Sequence, residues 1–339
     1  MRIPVMVWIH GGGYFYGSGS DGNHRPDYLL AKEVIVVSIN YRLGAFEGDD
    51  GTEKHKMSHT LPVIMTLFPL LIGFLKLGHE TVSGNQGLKD QTAALKWVKE
   101  NIHVFGGDPE NITVFGNSTG AVSVHLLMLS PLSKDSSENT LKLIYQDLEY
   151  HVRNARNLQD PVKMAQLMER IKQWYFNGKP CTENSILSII QCMSDIYINI
   201  PTTEFVNSRR KKKEAVTYFY KFSYVGSQIT TKHMLGRKVP MIGAAHDDES
   251  SYLFYIPKYK VNDPQPPVIG TRDRKVVEAL TSMWTNFAKS GNLTPASDQN
   301  VTATWLPATA DALNYLEIND ALQCAKISDF TNIFQESDE

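Results

Sequence analysis

The stretch Ile112-Thr113-Val114-Phe115-Gly116-Asn117-Ser118-Thr119-Gly120 decides the predicted fold of this 339-residue chain. Residues 112–115 are β-branched or aromatic and indicate a buried strand, and residues 121–129 indicate an apolar helix. In Gly-x-Ser-x-Gly between a strand and a helix, the serine lies on a strained turn, where small neighbours let the backbone fold sharply and the hydroxyl project outward. A chance match in a loop is the weaker interpretation, so Ser118 is the candidate nucleophile.

Two further apolar runs give the chain an α/β pattern. Residues 5–9 and 34–39 are short, rich in β-branched side chains and bounded by turn residues, as buried strands are. Before the elbow strand, residues 90–101 show helical spacing behind a candidate Asp90 cap. A strand, a helix and a second strand in this order form a unit of a parallel sheet, and in open α/β sheets the reactive groups lie at the carboxyl ends of the strands. Later segments continue the pattern, with helices predicted at 162–174 and 274–289 and a strand at 215–224.

The first predicted strand ends in the glycine run His10-Gly11-Gly12-Gly13-Tyr14. Glycine lets backbone N–H groups face a cavity and lets a substrate approach the main chain closely. The run lacks the Gly-Lys-Ser/Thr ending of a P-loop and the spacing of a dinucleotide site, and it accompanies an elbow. We therefore interpret it as an oxyanion-binding loop, to which the amide of Thr119, after the nucleophile, would add a third donor.

A serine nucleophile needs a base within hydrogen-bonding reach, and ten histidines are available. His246 follows the strand-like residues 239–242 and so occupies the carboxyl end of a predicted strand. His125 lies on the helix after the elbow, whereas His151 and His233 lie in polar segments. An isolated histidine in the position of His246 is more often structural than catalytic, so the residues alone leave the base open.

Composition and charge exclude several classes of protein. The chain is 42% hydrophobic and 21% charged, as in ordinary globular proteins. Its 34 basic and 36 acidic residues leave a formal charge of −2, so no global field recruits nucleic acid or an anionic membrane. Three cysteines, an odd number, argue against a disulfide-stapled scaffold. A neutral small-molecule partner fits best.

Three segments bear on membranes, export and nucleic acid. Residues 61–75 are apolar but contain two prolines and fall short of the ~20 residues of a spanning helix, so we expect no stable membrane insertion. Residues 1–9, before the glycines, are too short for a signal peptide, so the chain as written carries no export signal. The basic run 209–213 predicts a solvated connection rather than a nucleic-acid patch.

Together these motifs resemble the type-B carboxylesterase and cholinesterase family, most closely its insect carboxylesterases. The matching segments, in chain order, are residues 4–13, Asn40-Tyr41-Arg42-Leu43-Gly44, residues 84–91, the elbow, Leu129-Ser130-Pro131-Leu132-Ser133, Gly243-Ala244-Ala245-His246 and residues 283–288. The resemblance implies a single α/β-hydrolase domain over residues 1–339, with a mostly parallel central sheet flanked by helices. It also implies a family that is often secreted.

The resemblance further implies hydrolysis of carboxylic esters through an acyl-enzyme on Ser118. Oxyanion donors would come from Gly12, Gly13 and Thr119, and no metal or cofactor is implied. The family pattern Gly243-x-x-His246-x-x-Glu249 identifies His246 as the base. Asn117, where the family usually has an acidic residue, and Thr119, where it usually has alanine, are departures expected to retune the pocket without removing the chemistry.

Larger departures from the family concern whole segments. The chain begins at the oxyanion-loop strand, so the sheet is expected to be incomplete at its amino terminus and in its middle. Residues 47–72 are interpreted as an insertion, and a deletion junction near 134–140 would have removed the strand that bears the triad acid. An incomplete sheet exposes edges, which predicts poor solubility.

The missing acid leaves the activity open. The candidate substitutes are Asp195, Asp247, Asp248 and Glu249; those beside His246 are expected to serve their own turn, and none is assigned. The alternative hypothesis is a catalytically inactive carboxylesterase-like protein for binding or adhesion, or a defunct truncated product.

Overall fold

The computed structural model describes residues 2–20, 22, 24–44, 84–129, 160–179, 185–212, 216–228, 243–257 and 265–327. Several sequence-based interpretations lie outside these described residues: the insertion at 47–72, the apolar stretch 61–75, the deletion junction near 134–140, the strand at 239–242, and the placement of His151 and His233.

Three parallel strands form the sheet that carries the elbow. The central strand β1 (Ile3–Ile9) pairs with β2 (Ile35–Ile39) on one side and with β3 (Gly107–Gly116) on the other. β1 is buried from its third residue onward, as a strand covered on both faces should be. The three predicted strands are confirmed, although β3 begins before residue 112 because Gly107 already pairs with Ile3 ahead of a register shift.

Short and long helices flank this sheet. α1 (Asp27–Leu30) precedes β2, α2 (Gln86–Asn101) and a 3-10 turn (Ile102–Phe105) precede β3, and α3 (Thr119–Leu129) follows the elbow. The predicted cap at Asp90 is wrong, since α2 begins four residues earlier. The Asp90 carboxylate instead accepts hydrogen bonds from the guanidinium of Arg42, at 2.7 Å from Nε and 2.8 Å from Nη2.

A helical segment follows in the described chain. α4 (Pro161–Phe176) begins at Asp160, whose carboxylate accepts the N–H of Val162 at 2.8 Å, and a proline at the first helical position suits that start. α5 (Ile186–Ser194), a π-helical turn (Asp195–Asn199) and α6 (Ile200–Lys212) complete it. The helix predicted at 162–174 is confirmed. These helices share one core, formed by Met164, Leu167, Ile171, Tyr175, Phe176, Cys192, Ile196 and Ile200.

The end of α6 corrects the interpretation of residues 209–213 as a solvated connection. Residues 209–212 belong to the last turn of the helix. The guanidinium of Arg210 donates to the backbone carbonyls of Thr309 and Ala310, at 2.7 and 2.8 Å. Part of the basic run therefore joins the helical segment to the loop before Leu313.

A second sheet, with the order β4-β5-β6, lies beyond the helical segment in the chain. β4 (Tyr220–Phe222) runs parallel to β5 (Leu313–Ile318), which pairs antiparallel with β6 (Leu322–Ile327). The strand predicted at 215–224 is shorter than expected, because Thr217 forms a separate bridge with Ala308 instead of extending the ladder.

Helix α8 (Arg272–Ser290) joins the two sheets through a common core. It begins at Thr271, whose hydroxyl accepts the Arg274 N–H, and ends before Gly291 at φ 72°, which confirms the helix predicted at 274–289. α8 packs against α1, β1, β3 and the short helix α7 (Ser250–Leu253). Its core partners include Met6, Trp8, Leu29, Tyr224, Phe254 and Leu316. In the described part of the chain, no helix is long and apolar enough to cross a bilayer.

Candidate active site

The elbow turn lies where β3 ends and α3 begins. Ser118 has φ 51°, a left-handed conformation that costs energy for any residue but glycine and is typical of strained functional turns. The turn is closed by the Gly120 N–H, which donates to the Asn117 carbonyl at 2.8 Å. The predicted sequence of strand, sharp turn and helix is therefore confirmed.

Both elbow glycines are required by close backbone packing against β1. A Cβ added at Gly120 would lie 2.1 Å from the carbonyl oxygen of Ile9. One added at Gly116 would lie 2.6 Å from the carbonyl carbon of Gly120 and 2.7 Å from the same Ile9 oxygen. The turn therefore lies directly against the carboxyl end of β1, where the glycine loop begins.

The glycine loop and Ser118 are neighbours. A Cβ added at Gly11 would lie 3.0 Å from the Cβ of Ser118. Gly12 and Gly13 have φ 117° and 65°, which glycine adopts without steric cost. The Gly12 carbonyl accepts the N–H groups of Phe15 and Tyr16, which fold the loop back on itself. The structure thus places Gly11, the residue before Gly12 and Gly13, beside the candidate nucleophile.

Thr119 is the first residue of α3. The first four N–H groups of a helix have no carbonyl partner within that helix, and they form its positive end. The amide that follows Ser118 therefore lies at the positive end of α3, and its part in binding an oxyanion stays a prediction.

The rings of His10 and Tyr41, which the sequence did not indicate as part of the site, pack at the start of the glycine loop. His10 is buried, and its Nδ1 lies 2.8 Å from the Gly11 carbonyl oxygen. Its ring stacks on Tyr41 with 4.5 Å between centroids, and the Tyr41 hydroxyl donates to the His10 carbonyl at 2.7 Å. Burial lowers the pKa of His10, which favours a neutral ring. The only sequence signal for Tyr41 was its place in the segment 40–44.

A second set of contacts ties the loop to the two neighbouring helices. The hydroxyls of Tyr14 and Ser123 lie 3.1 Å apart, and the buried Gln91 amide donates to the same serine oxygen at 3.1 Å. Burial raises the pKa of Tyr14, so its hydroxyl stays protonated and remains a hydrogen-bonding group. The loop conformation is thereby linked to α2 and α3.

The turn that carries His246 contacts the elbow through the side chain of Asn117. His246 is exposed, and the following Asp247 has φ 72°. The Asn117 side-chain amide donates through Nδ2 to Oδ1 of Asp247 and accepts the Gly11 N–H through Oδ1 at 3.0 Å. The structure therefore brings the glycine loop, the elbow and the histidine turn together.

The candidate substitute acids fall into two groups. Asp195 lies in the helical segment, where its carboxylate accepts hydrogen bonds from Tyr175 at 2.8 Å, Gln191 at 3.0 Å and Asn199 at 2.7 Å. It is committed to that segment and not to the histidine turn. Asp248 accepts the Ala245 N–H at 2.7 Å, so it stabilises its own turn, as expected from the sequence.

Glu249, in the same turn as His246, has a strongly perturbed carboxyl group. Burial, with smaller contributions from the carboxylates of Asp247 and Asp248, raises its pKa to about 7. A carboxyl with this pKa can exchange a proton near neutral pH. The hydrophobic periodicity of the sequence does not predict the raised pKa of Glu249, because that pKa depends on burial in the folded chain.

His24 is a further histidine of this region that the sequence argument missed. Its ring lies 5.4 Å from those of Trp8 and Phe254, centroid to centroid. Burial lowers its pKa, the nearby Asp247 carboxylate opposes that effect, and His10 reinforces it. It stands between β1 and the histidine turn as a largely neutral group. Within the described ranges, no cluster of three His, Cys, Asp or Glu side chains is arranged to hold a metal ion.

Comparison with known proteins identifies a common family and fold. A model of the carboxylesterase family matches residues 1–47, 71–146 and 135–334. The para-nitrobenzyl esterase of Bacillus subtilis is 45% identical over 136 residues, which are 39% of this chain and 22% of that protein. The bile salt-activated lipase of Rattus norvegicus is 26% identical over 447 aligned positions, covering 94% of this chain and 66% of the lipase. The chain thus spans less than two thirds of either relative.

Solved structures show the same architecture. The juvenile hormone esterase of Manduca sexta, crystallised with OTFP covalently attached, superimposes with a TM-score of 0.70 at 22% identity, covering 96% of this chain and 78% of that one. The carboxylesterase EST55 of Geobacillus stearothermophilus gives a TM-score of 0.63 at 20% identity, covering 96% and 81%. At these identities the likeness shows the fold alone.

Proposed function

Because the chain belongs to the carboxylesterase family and has the predicted α/β-hydrolase fold, we propose that it hydrolyses small carboxylic esters through an acyl-enzyme on Ser118. The observation that carries this proposal is the left-handed Ser118 at the β3–α3 turn, with Gly11 so close that a Cβ added there would lie 3.0 Å from the Ser118 Cβ. A strained serine next to a glycine loop has the geometry of acyl transfer.

Each residue of the proposed site has one role in the reaction. The Ser118 hydroxyl attacks the ester carbonyl carbon while His246 takes its proton. The N–H groups of Gly12, Gly13 and Thr119 stabilise the tetrahedral oxyanion, at about 3 kcal/mol per donor in other hydrolases. His246 then gives the proton to the leaving alcohol. In the second half of the reaction, water attacks the acyl carbon while His246 takes its proton, and that proton passes to the Ser118 oxygen as the carboxylic acid leaves. This mechanism uses no metal and no cofactor.

The second candidate function is binding without turnover. It is favoured by the position of Asp195, which is held in the helical segment, and by Asp248, which serves its own turn. Losing the acid of a serine triad lowers kcat about 10⁴-fold in other enzymes, equivalent to roughly 5.5 kcal/mol of barrier. A chain in which no carboxylate accepts a hydrogen bond from the His246 ring would therefore bind esters or partners and scarcely hydrolyse them.

Intact-mass detection of a fluorophosphonate adduct separates the two functions. We expect the wild-type protein to gain one adduct, and Ser118→Ala and His246→Ala to lose it. Ser290→Ala, which removes an exposed hydroxyl at the end of α8, is the matched control and should keep the adduct. A folded wild-type protein without an adduct would contradict hydrolysis and support the binding function.

We also propose that residues 1–339 form one domain, with an insertion at 47–72 and a deletion junction near 134–140. The family match is interrupted between residues 47 and 71, and two of its ranges overlap at 135–146, which supports this division. Sequencing of transcripts across Phe46 and Gly73 tests the insertion. Transcripts that all contain residues 47–72 would contradict it.

A further inference from the structure

Asn117, the residue before Ser118, is in contact with both other parts of the candidate site. Its Oδ1 accepts the Gly11 N–H at 3.0 Å, and its Nδ2 donates to the Asp247 carboxylate. There is no space between Asn117 and the loop, since a Cβ at Gly11 would lie 2.9 Å from the same Oδ1. One planar amide therefore joins the glycine loop to the histidine turn.

The chemistry of these two contacts selects an amide at position 117. Toward Gly11 the side chain must accept a hydrogen bond, and toward Asp247 it must donate one. A carboxamide supplies both functions from one rigid group, whereas a carboxylate only accepts. A carboxylate at position 117 would keep the bond from Gly11 but place a second negative charge against Asp247, which is unfavourable at this distance.

The contact with Asp247 also restrains the neighbouring histidine. His246 and Asp247 share a peptide bond, and the turn is compact, since Asp248 binds the Ala245 N–H. His246 itself is exposed. Tying Asp247 to the elbow therefore limits how far the imidazole can move from Ser118.

We propose that Asn117 is a positioning residue, which holds the His246 turn and the oxyanion loop in register with Ser118 through its two hydrogen bonds. The inference rests on the proposed function, since it assigns a role in the hydrolysis at the same site. Asn117 should therefore affect kcat and not KM, because both polar atoms of its side chain are hydrogen-bonded within the protein.

A reciprocal exchange between positions 117 and 247 tests the proposal. Asn117→Asp should lower kcat for p-nitrophenyl acetate by tenfold or more and leave KM within about twofold, because it breaks the tie without touching the ester. Asp247→Asn should have a small effect, since an asparagine side chain can turn its oxygen toward the Asn117 amide and tolerates positive φ. The double variant should regain the kcat of Asp247→Asn, because the amide and the carboxylate have only exchanged places.

Asn292→Asp is the matched control. It makes the same chemical change at an exposed loop position, where the retained oxygen still accepts the Thr294 N–H, and it should leave kcat and KM unchanged. An Asn117→Asp variant with the wild-type kcat would overturn the proposal, as would a loss that the double variant does not restore. If Asn117→Asp lowered Tm and left kcat unchanged, the two hydrogen bonds would serve stability only, and the proposal would again be overturned.

The result for the wild-type protein separates this inference from the proposed function. A wild-type protein that gains the fluorophosphonate adduct, with an Asn117→Asp variant labelled at the same rate, would overturn the role of Asn117 and leave the hydrolysis intact. A folded wild-type protein with neither adduct nor turnover would overturn the proposed function, and the positioning role with it.

Discussion

At the scale of single residues, the elbow depends on the absence of two side chains. The nearest atom to a Cβ at Gly120 is a backbone oxygen of Ile9 at 2.1 Å, which cannot move without disrupting β1. We expect Gly120→Ala to lower the free energy of unfolding by about 3 kcal/mol or more, because overpacking against the main chain has no cheap relaxation. Urea denaturation measures this. Gly22→Ala, whose added methyl group would meet open space, is the control.

The raised pKa of Glu249 predicts how stability depends on pH. The native state keeps its proton up to about pH 7, whereas the unfolded state loses it near the ordinary value of 4.5. Between these values the native state binds more protons, so stability falls as pH rises, by at most about 3 kcal/mol. Glu249→Gln mimics the protonated form and removes this loss.

Thermal unfolding from pH 4 to pH 9 measures the effect. The Tm of Glu249→Gln should match the wild type at pH 4 and exceed it by several degrees above pH 7. A constant difference at all pH values would contradict the assignment of the shift to Glu249.

At the scale of elements, α8 holds the strands that carry the candidate site. Leu280 is fully buried on the face of α8 that packs against the common core. Truncating it leaves a cavity, so Leu280→Ala should lower the free energy of unfolding by about 3 kcal/mol. Lys275→Ala, an exposed position on the same helix, should stay within about 0.5 kcal/mol. Equal effects of the two substitutions would show that α8 does not support the core.

The helical segment α4–α6 has a hydrophobic core of its own. Ile171 is fully buried among Met164, Leu167 and Ile196, apart from the core that includes β1. Segments with separate cores can open separately, since few buried contacts couple them. Ile171→Ala should therefore speed amide hydrogen exchange in α4 and α5 and leave exchange in β1 unchanged. Faster exchange in both regions would show a single cooperative unit.

At the scale of the whole molecule, the sheet edges predict association. Among the described strands, β2 and β3 each pair on one side only, and so do β4 and β6. Unpaired strand edges offer N–H and carbonyl groups to other chains. We expect the apparent mass in light scattering to rise with protein concentration. Monodisperse protein with a sharp cooperative melt would contradict this expectation.

By itself, the sequence determined the features that depend on neighbours along the chain. The β-branched run before Gly116 forms a strand and the glycines at 116 and 120 permit a sharp turn, because both effects act within a few residues. For the same reason the helices at α4 and α8 were predicted nearly to their ends. Two predictions that failed, the Asp90 cap and the solvated connection over the basic run, involve side chains that bind distant partners.

Only the tertiary structure decided how the candidate site is assembled. Asn117 meets Gly11 across 106 residues of chain and Asp247 across 130, and no local pattern specifies which side chains will meet at such separations. The tertiary structure also placed Asp195 in the helical segment and raised the pKa of Glu249. The surroundings of these two carboxyl groups depend on burial and on neighbours from other elements. Local propensity acts through adjacent residues, whereas a site is created by contacts that exist only once the chain has folded.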